Sequence, residues 1–409
     1  MRRHSTAWLA ALATAAAVTT PRVSAQEGRF GSAGAAPAES SESSAPGGGW
    51  TITPSLLYSA NWDDNVLLKQ RVDEPRGDFL NVLNPRVDAR FGGRRGQFSG
   101  TYDGAFLVYR DLNSLNSYDQ HGSVSATRQL SKHVRLFVND NVAVTPTTEL
   151  ALLVGLPFMR AGVRLNDLRS GIDANLTKRT SISATYRFEW VRFDQQTAVG
   201  NTLLGGHSTG GTLVVRHRIS DITSLTADYE RHFSDVGGLG TFDVQNATGG
   251  FDRMLSETLR IYGAAGISRL SPQAGLGLSH TAPRYHAGVS QRLHRGSLSV
   301  LYNRAFAPSY GASGATESKD FSVRLNMPLW RRVYTQSAFS WRSDQYPLLA
   351  NASLESRWVE ASVGYLAQPW VRIEGYYGSA YQTTILPGGV LDRHRFGVQV
   401  ITVKPVRIR

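Results

Sequence analysis

The chain has 409 residues, ten histidines, no cysteine and a formal charge of +12, from 44 basic residues against 32 acidic ones. The lack of cysteine excludes a disulfide framework and thiolate metal sites. No run of about eighteen apolar residues follows the N-terminal region, which excludes a transmembrane helix. The mildly polar mean hydropathy fits a soluble protein, and equally a strand protein in which only alternate residues face lipid.

The N-terminus reads as a secretory signal peptide over residues 1–25. Arg2, Arg3 and His4 precede the largely apolar Ala7–Val18, and Val23-Ser24-Ala25 offers small residues for cleavage near Ala25. The Arg2-Arg3 pair lacks the apolar pair of a twin-arginine signal, and a barrel crosses the inner membrane unfolded, so the general secretory route is favoured. Removing Arg2, Arg3 and Arg22 lowers the charge from +12 to +9. Residues 26–49 are rich in Gly, Ala, Ser and Pro and hold almost no large apolar side chain, which predicts a disordered periplasmic leader. A docking tail for a partner is the alternative.

From residue 50 onward, two alternating apolar/polar runs of about ten residues recur, joined by a very short polar turn. Examples are Leu168–Leu176 with Ser181–Phe193, and Phe321–Met327 with Val333–Trp341. Strands are expected near 50–60, 79–91, 95–110, 117–129, 133–145, 164–176, 181–194, 207–218 and 223–235. They continue near 242–253, 258–270, 281–292, 296–306, 318–328, 333–342, 353–366, 371–381 and 392–403. The fold class is therefore an all-β transmembrane antiparallel barrel over 50–409, of about eighteen strands, with sixteen possible. Short turns alternate along most of the chain with longer loops near 61–78, 146–163, 195–206, 271–280, 307–317, 343–352 and 382–391. Short turns belong on the periplasmic side and long loops outside, which predicts the outer membrane of a Gram-negative bacterium, with outer-membrane lipid as the surroundings.

Alternation sorts the side chains. Phe98, Tyr102, Phe106, Tyr186, Phe188, Ile373 and Tyr377 fall on the lipid face, and Trp190, Trp330, Trp341, Trp358 and Trp370 are expected in aromatic belts. The opposite set is a candidate lumen lining: Arg86, Asp88, Arg90, Asp103, Tyr109, Arg135, Arg169, Asp173, Arg187, Glu189, Arg216, Asp228, Glu230, Arg260, Arg292, Arg324, Glu360, Arg372, Glu374 and Tyr376. Its plain reading is a polar wall whose ions pair across strands. Its sharper reading is a path for an anionic solute.

Catalytic signals are weak. Gly206-His207-Ser208-Thr209-Gly210 matches G-x-S-x-G, but no strand precedes it and no helix follows, so a barrel hydrolase is the remote alternative. No H-E-x-x-H or paired His spacing calls for a metal, and no cofactor motif is present. Arg76-Gly77-Asp78 is a common tripeptide in a loop. Basic and aromatic residues lie on opposite strand faces, which speaks against nucleic acid.

Asn61-Trp62-Asp63-Asp64-Asn65-Val66, after the first strand, reads as an Asx-rich cap, with a calcium site from Asp63, Asp64 and Asn65 as an alternative. This segment, with the strand lengths, hairpin spacing and signal plus leader, resembles the outer-membrane β-barrel porins encoded with exopolysaccharide and capsule synthesis genes. Trp62-Asp63-Asp64-Asn65-Val66 is its sharp motif. The resemblance implies a conduit for polysaccharide export across the outer membrane, working with a periplasmic export protein, and no enzyme activity. A general or anion-preferring diffusion porin is the alternative. The chain departs from the usual terminal aromatic, ending Lys404-Pro405-Val406-Arg407-Ile408-Arg409, with Arg395-x-Gly397-x-x-Val400-x-Thr402 as an approximate insertion signal.

Overall fold

A strand with one apolar and one polar face cannot satisfy its backbone in lipid unless both edges are paired, and closing the sheet on itself meets that demand. The computed structural model of the chain describes residues 49–148, 158–194, 203–272, 279–311, 314–349, 352–383 and 389–408. The signal peptide and all but Gly49 of the leader lie outside the described residues.

The sheet begins with β1 (Gly49–Asp63), β2 (Asp78–Gly92), β3 (Gly96–Tyr109), β4 (Ser117–Gln129), β5 (Val134–Thr145) and β6 (Val163–Asn175). It continues through β7 (Thr180–Phe193), β8 (Gly206–Arg218), β9 (Thr223–Val236), β10 (Gly240–Met254), β11 (Leu259–Pro272) and β12 (His280–Leu293). The last third holds β13 (Gly296–Ser309), β14 (Gly314–Pro328), β15 (Val333–Gln345), β16 (Ser353–Gln368), β17 (Val371–Thr383), β18 (Val390–Val403) and the short β19 (Val406–Ile408). Each strand pairs antiparallel with the next, and β18 returns to β1 from Ser55↔Val403 to Asp63↔Arg395, so the eighteen-strand sheet is closed. Past Pro405, β19 follows the same edge of β1 to Trp50↔Ile408. Among the described residues no helix is long and apolar enough to cross a membrane.

The outer surface carries exposed apolar side chains along the strands, among them Leu56, Leu83, Tyr102, Phe106, Val138, Tyr186, Val363 and Tyr377. In water such a surface would be a liability; in a bilayer it is the lipid contact. Both ends of the sheet lie on the short-turn side. Two connections break the length alternation: β13 and β14 join through residues 310–313, where the sequence predicts a longer loop near 307–317, and β9 and β10 join through Gly237–Leu239 alone, closed by Leu239 N–H donating to the Val236 carbonyl at 2.9 Å. The strands also run further toward the loop side than expected, so Trp62 and Asp63 belong to β1, opposite Phe79 and Asp78.

One hairpin leaves the cylinder. β13 and β14 pair along their whole length, up to Ser309↔Gly314. The β12–β13 ladder stops at Tyr285↔Arg304, although β12 continues to His280. Beyond that point the hairpin leans inward, and Phe306 N–H donates to Ser268 Oγ of β11 at 3.1 Å. Its tip residue Gly311 exchanges backbone hydrogen bonds with Leu204 of the β7–β8 connection at 2.8 and 3.0 Å. Phe306, Tyr310 and Ala315 pack there with Val163, Val191, Phe193, Val236, Phe242, Val244 and Leu270 from the inner faces of β6, β7 and β9 to β11. Gly314, at φ +73°, passes so close to the Phe242 ring that a Cβ would strike it. The apolar core of this protein thus lies inside the barrel, on its loop side.

Candidate functional site

The inner wall is built from the polar set of every strand. Arg86 reaches Asp88 at 2.8 Å and stands opposite Asp103 in the register, and Arg135 reaches Asp173 at 2.7 Å. Arg169 and Arg187 both hold Asp167, at 2.5 and 3.0 Å, and Arg187 also holds Glu189 at 2.6 Å. Asp252 joins Arg260 and, at 3.8 Å, Arg216. Arg284 lies 3.1 Å from Glu230 and 3.8 Å from Asp228, while His232 Nε2 contacts Glu230 at 2.7 Å. Tyr334 donates to Glu374, which also accepts Gln399 Nε2 at 2.6 Å, and Tyr376 donates to Asn61 at 2.5 Å. Glu360 is within electrostatic reach of Arg324 and Arg395. Arg90, Arg292 and Arg372 stand near the short-turn ends of β2, β12 and β17. The wall is therefore a ladder of cross-strand ion pairs that flattens long side chains against the sheet. Asp167, Asp252, Arg284, Asp320, Arg342, Arg393 and Arg395 belong to it as well, beyond the set expected from the sequence.

Burial divides the lumen. On the short-turn half Arg135 and Arg260 keep 37% and 47% of their side-chain surface, and an open vestibule is lined by Arg260, Ser290, Arg292, Asn326, Tyr334 and Gln336. On the loop half Asp63 keeps 1%, Arg393 3% and Asp167 8%. The inward hairpin covers one side of the loop half. Residues 158–160 narrow the other. Phe158 N–H donates to Gln382 Oε1 of β17 at 3.2 Å, and its ring meets Trp358 at 6.5 Å between centroids. Arg160 donates to the Val66 carbonyl at 2.8 Å and lies 5.2 Å from the Tyr109 ring centroid. Burial raises the Tyr310 hydroxyl pKa further above neutrality, which disfavours any charge at the hairpin tip inside the apolar cluster.

Trp358 corrects one expectation. It points into the lumen, 5.8 Å from the Arg342 guanidinium, and does not sit in a lipid-facing belt. Arg342 in turn contacts Asp320 at 2.5 Å.

The Trp-Asp-Asp-Asn-Val segment is a clasp. Trp62 faces outward against Phe79, with ring centroids 4.9 Å apart. Asp63 faces inward and holds Arg393 and Arg395 of the last strand, the latter at 2.9 Å. Its charge is matched by two guanidiniums, which removes the basis for a calcium site. Asp64 and His394 exchange bonds across the seam: Asp64 N–H to the His394 carbonyl at 3.1 Å, and His394 N–H to Asp64 Oδ1 at 2.7 Å. Asn65 Oδ1 accepts Lys69 N–H at 3.0 Å while its amide donates to the Lys69 and Asp392 carbonyls at 2.8 and 3.0 Å. Val66 is fully buried with Leu80 and Tyr109. Asp78, the last residue of the Arg-Gly-Asp tripeptide, accepts the N–H groups of Phe79, Asp111 and Leu112, the last at 2.8 Å, and so organises the next loop.

Ser208 sits within β8, buried, and accepts the Ser234 hydroxyl at 3.1 Å. It is not at a strand-to-helix turn, and among the described residues no base adjoins it in the way a nucleophile needs. Among the described residues no group of three His, Cys, Asp or Glu could hold a metal.

These features define a closed transmembrane β-barrel with a charge-paired wall and a lumen narrowed on its loop side. No family model and no curated protein matches the chain. Among solved structures it is similar to OccAB3 of Acinetobacter baumannii, at 10% identity and a TM-score of 0.47, covering 87% of this chain and 99% of that one. OpdK of Pseudomonas aeruginosa, solved with vanillate, gives 10% and 0.47 over 87% and 99%. OprD of the same organism gives 11% and 0.42 over 88% and 96%.

Proposed function

We propose that the protein is an outer-membrane channel for passive diffusion of small polar solutes, with a bias toward anions. The observation that carries this reading is the division of the lumen: an open vestibule on the short-turn side, and on the loop side a passage narrowed by the inward hairpin and by residues 158–160. An unobstructed barrel of this strand number leaves a wide aqueous pore. The anion bias is supported by the short-turn half, where Arg90, Arg135, Arg216, Arg260, Arg292, Arg324 and Arg372 outnumber Asp88, Asp173, Asp252, Glu257 and Glu374.

Conductance in a planar bilayer tests it. Under a KCl gradient the reversal potential is expected to have the sign of chloride preference, with a unitary conductance well below that of an open barrel of this width. A cation-selective or fully open pore contradicts the reading. Export of a polysaccharide with a periplasmic partner, which the sequence resemblance implies, would require the hairpin to leave the lumen. Loss of surface polysaccharide in a deletion strain would favour export, and unchanged polysaccharide would leave diffusion as the function.

A further inference from the structure

Among the described residues, the outer face of the barrel holds a mid-strand carboxylate–amide contact that lipid alone leaves incomplete. Along β5, Leu136, Val138 and Val142 are exposed and face outward, while Ala143 and Thr145 of the other parity are buried inside. Asp140 belongs to the outward set, midway along the strand, opposite Val124 of β4 and Leu168 of β6. Asn166, next on the outward face of β6, donates its amide to Asp140 Oδ1 at 2.7 Å. Other ion pairs of the outer face sit toward the loop-side strand ends, as with Arg164–Asp194, Arg304–Glu317 and Arg357–Glu355. There the headgroups and water meet them. Asp140 and Asn166 stand instead within the apolar band, where an ionisable side chain is costly and a buried polar group needs a hydrogen-bond partner.

After the bond between them, the pair still has one further amide N–H to donate and carboxylate oxygen to accept. That combination is self-complementary. A second copy turned through two-fold symmetry would present acceptor to donor and donor to acceptor, whereas a lipid chain offers neither. The surroundings suit close approach. Gly122, opposite Val142 on the same face, leaves an open recess where a Cβ would meet nothing, and Val124, Val138 and Val142 form an apolar rim.

We propose that the outer face of β4 to β6, centred on Asp140 and Asn166, is the contact face between two copies of this chain in the membrane. This does not depend on what the lumen carries.

The absence of cysteine makes the test clean. Val138→Cys, next to the pair, and Val398→Cys, on β18 five strands away, are both exposed to lipid. In membranes treated with a mild oxidant, Val138→Cys is expected to give a disulfide-linked dimer severalfold more efficiently than Val398→Cys. Adding Asp140→Val and Asn166→Leu to Val138→Cys should bring cross-linking down to the control level while the barrel keeps its heat-dependent gel migration. Val124→Cys repeats the measurement from the neighbouring strand. Equal cross-linking at the 138 and 398 positions overturns the proposal, as does cross-linking that survives removal of the polar pair. A protein of monomeric mass in mild detergent that also fails to cross-link in membranes places lipid on this face.

Discussion

Replacing Phe306 and Tyr310 together by alanine is expected to raise the unitary conductance severalfold. These two side chains anchor the β13–β14 hairpin in the apolar cluster formed by β6, β7 and β9 to β11. Truncating one packed aromatic ring to alanine costs about 3–5 kcal/mol. The remaining hold is smaller, and includes Ala315 in the same cluster, Phe306 N–H on Ser268 Oγ and the exchange between Gly311 and Leu204. With both rings gone the hairpin leaves the lumen more often, and single-channel recording should show larger or more frequent openings. Val359→Ala, a lipid-facing change on β16, serves as the control and should leave the current as it was. Unchanged conductance in the double variant would mean that the passage is limited elsewhere, at residues 158–160.

Asp63→Ala is expected to be the most destabilising single substitution in the wall. Its carboxylate is almost wholly buried between Arg393 and Arg395. Removing one partner of a buried ion pair costs about 3–5 kcal/mol, because the remaining charge stays in low dielectric. The seam between first and last strands is where that cost falls, so the urea unfolding midpoint should drop and the unheated gel form should diminish. A double-mutant cycle refines the result: Arg393→Ala should cost less in the Asp63→Ala background than in the parent. Equal costs in both backgrounds would show that the two residues do not act together.

Much of the fold is readable from the chain because a membrane strand must alternate. The runs around Tyr186–Trp190 and Arg372–Tyr377 disclose their faces, and an even number of them puts both ends of the sheet on one side. What the sequence hides is register. Arg135 and Asp173 are 38 positions apart and meet because β5 and β6 pair at that level, which no local pattern encodes. Asp63 read as a local cap for the same reason, its partners lying 330 and 332 residues away. The hairpin had a faint trace. On β7 the inner parity changes from Arg187 and Glu189 to Val191 and Phe193, and β10 places Phe242 and Val244 inward at its loop end. Apolar residues on a face meant for water announce that something covers them. For Trp358 two signals conflict: its position near a strand end suits a belt, while its parity with Leu354 and Ser356 points inward, and parity prevails.

The early end of the β12–β13 ladder has a consequence for how the barrel could change state. Above Tyr285, β12 offers main-chain groups with no ladder partner in β13, and β13 above Arg304 is likewise unzipped from β12. Were the hairpin to swing outward, these two edges could join and lengthen the ladder. Such a movement would give the hairpin a second place to rest. Inward, it gains apolar contact with Phe242 and its neighbours; outward, it would gain backbone hydrogen bonds along the rim. An element with two such alternatives can switch between discrete positions instead of loosening by degrees.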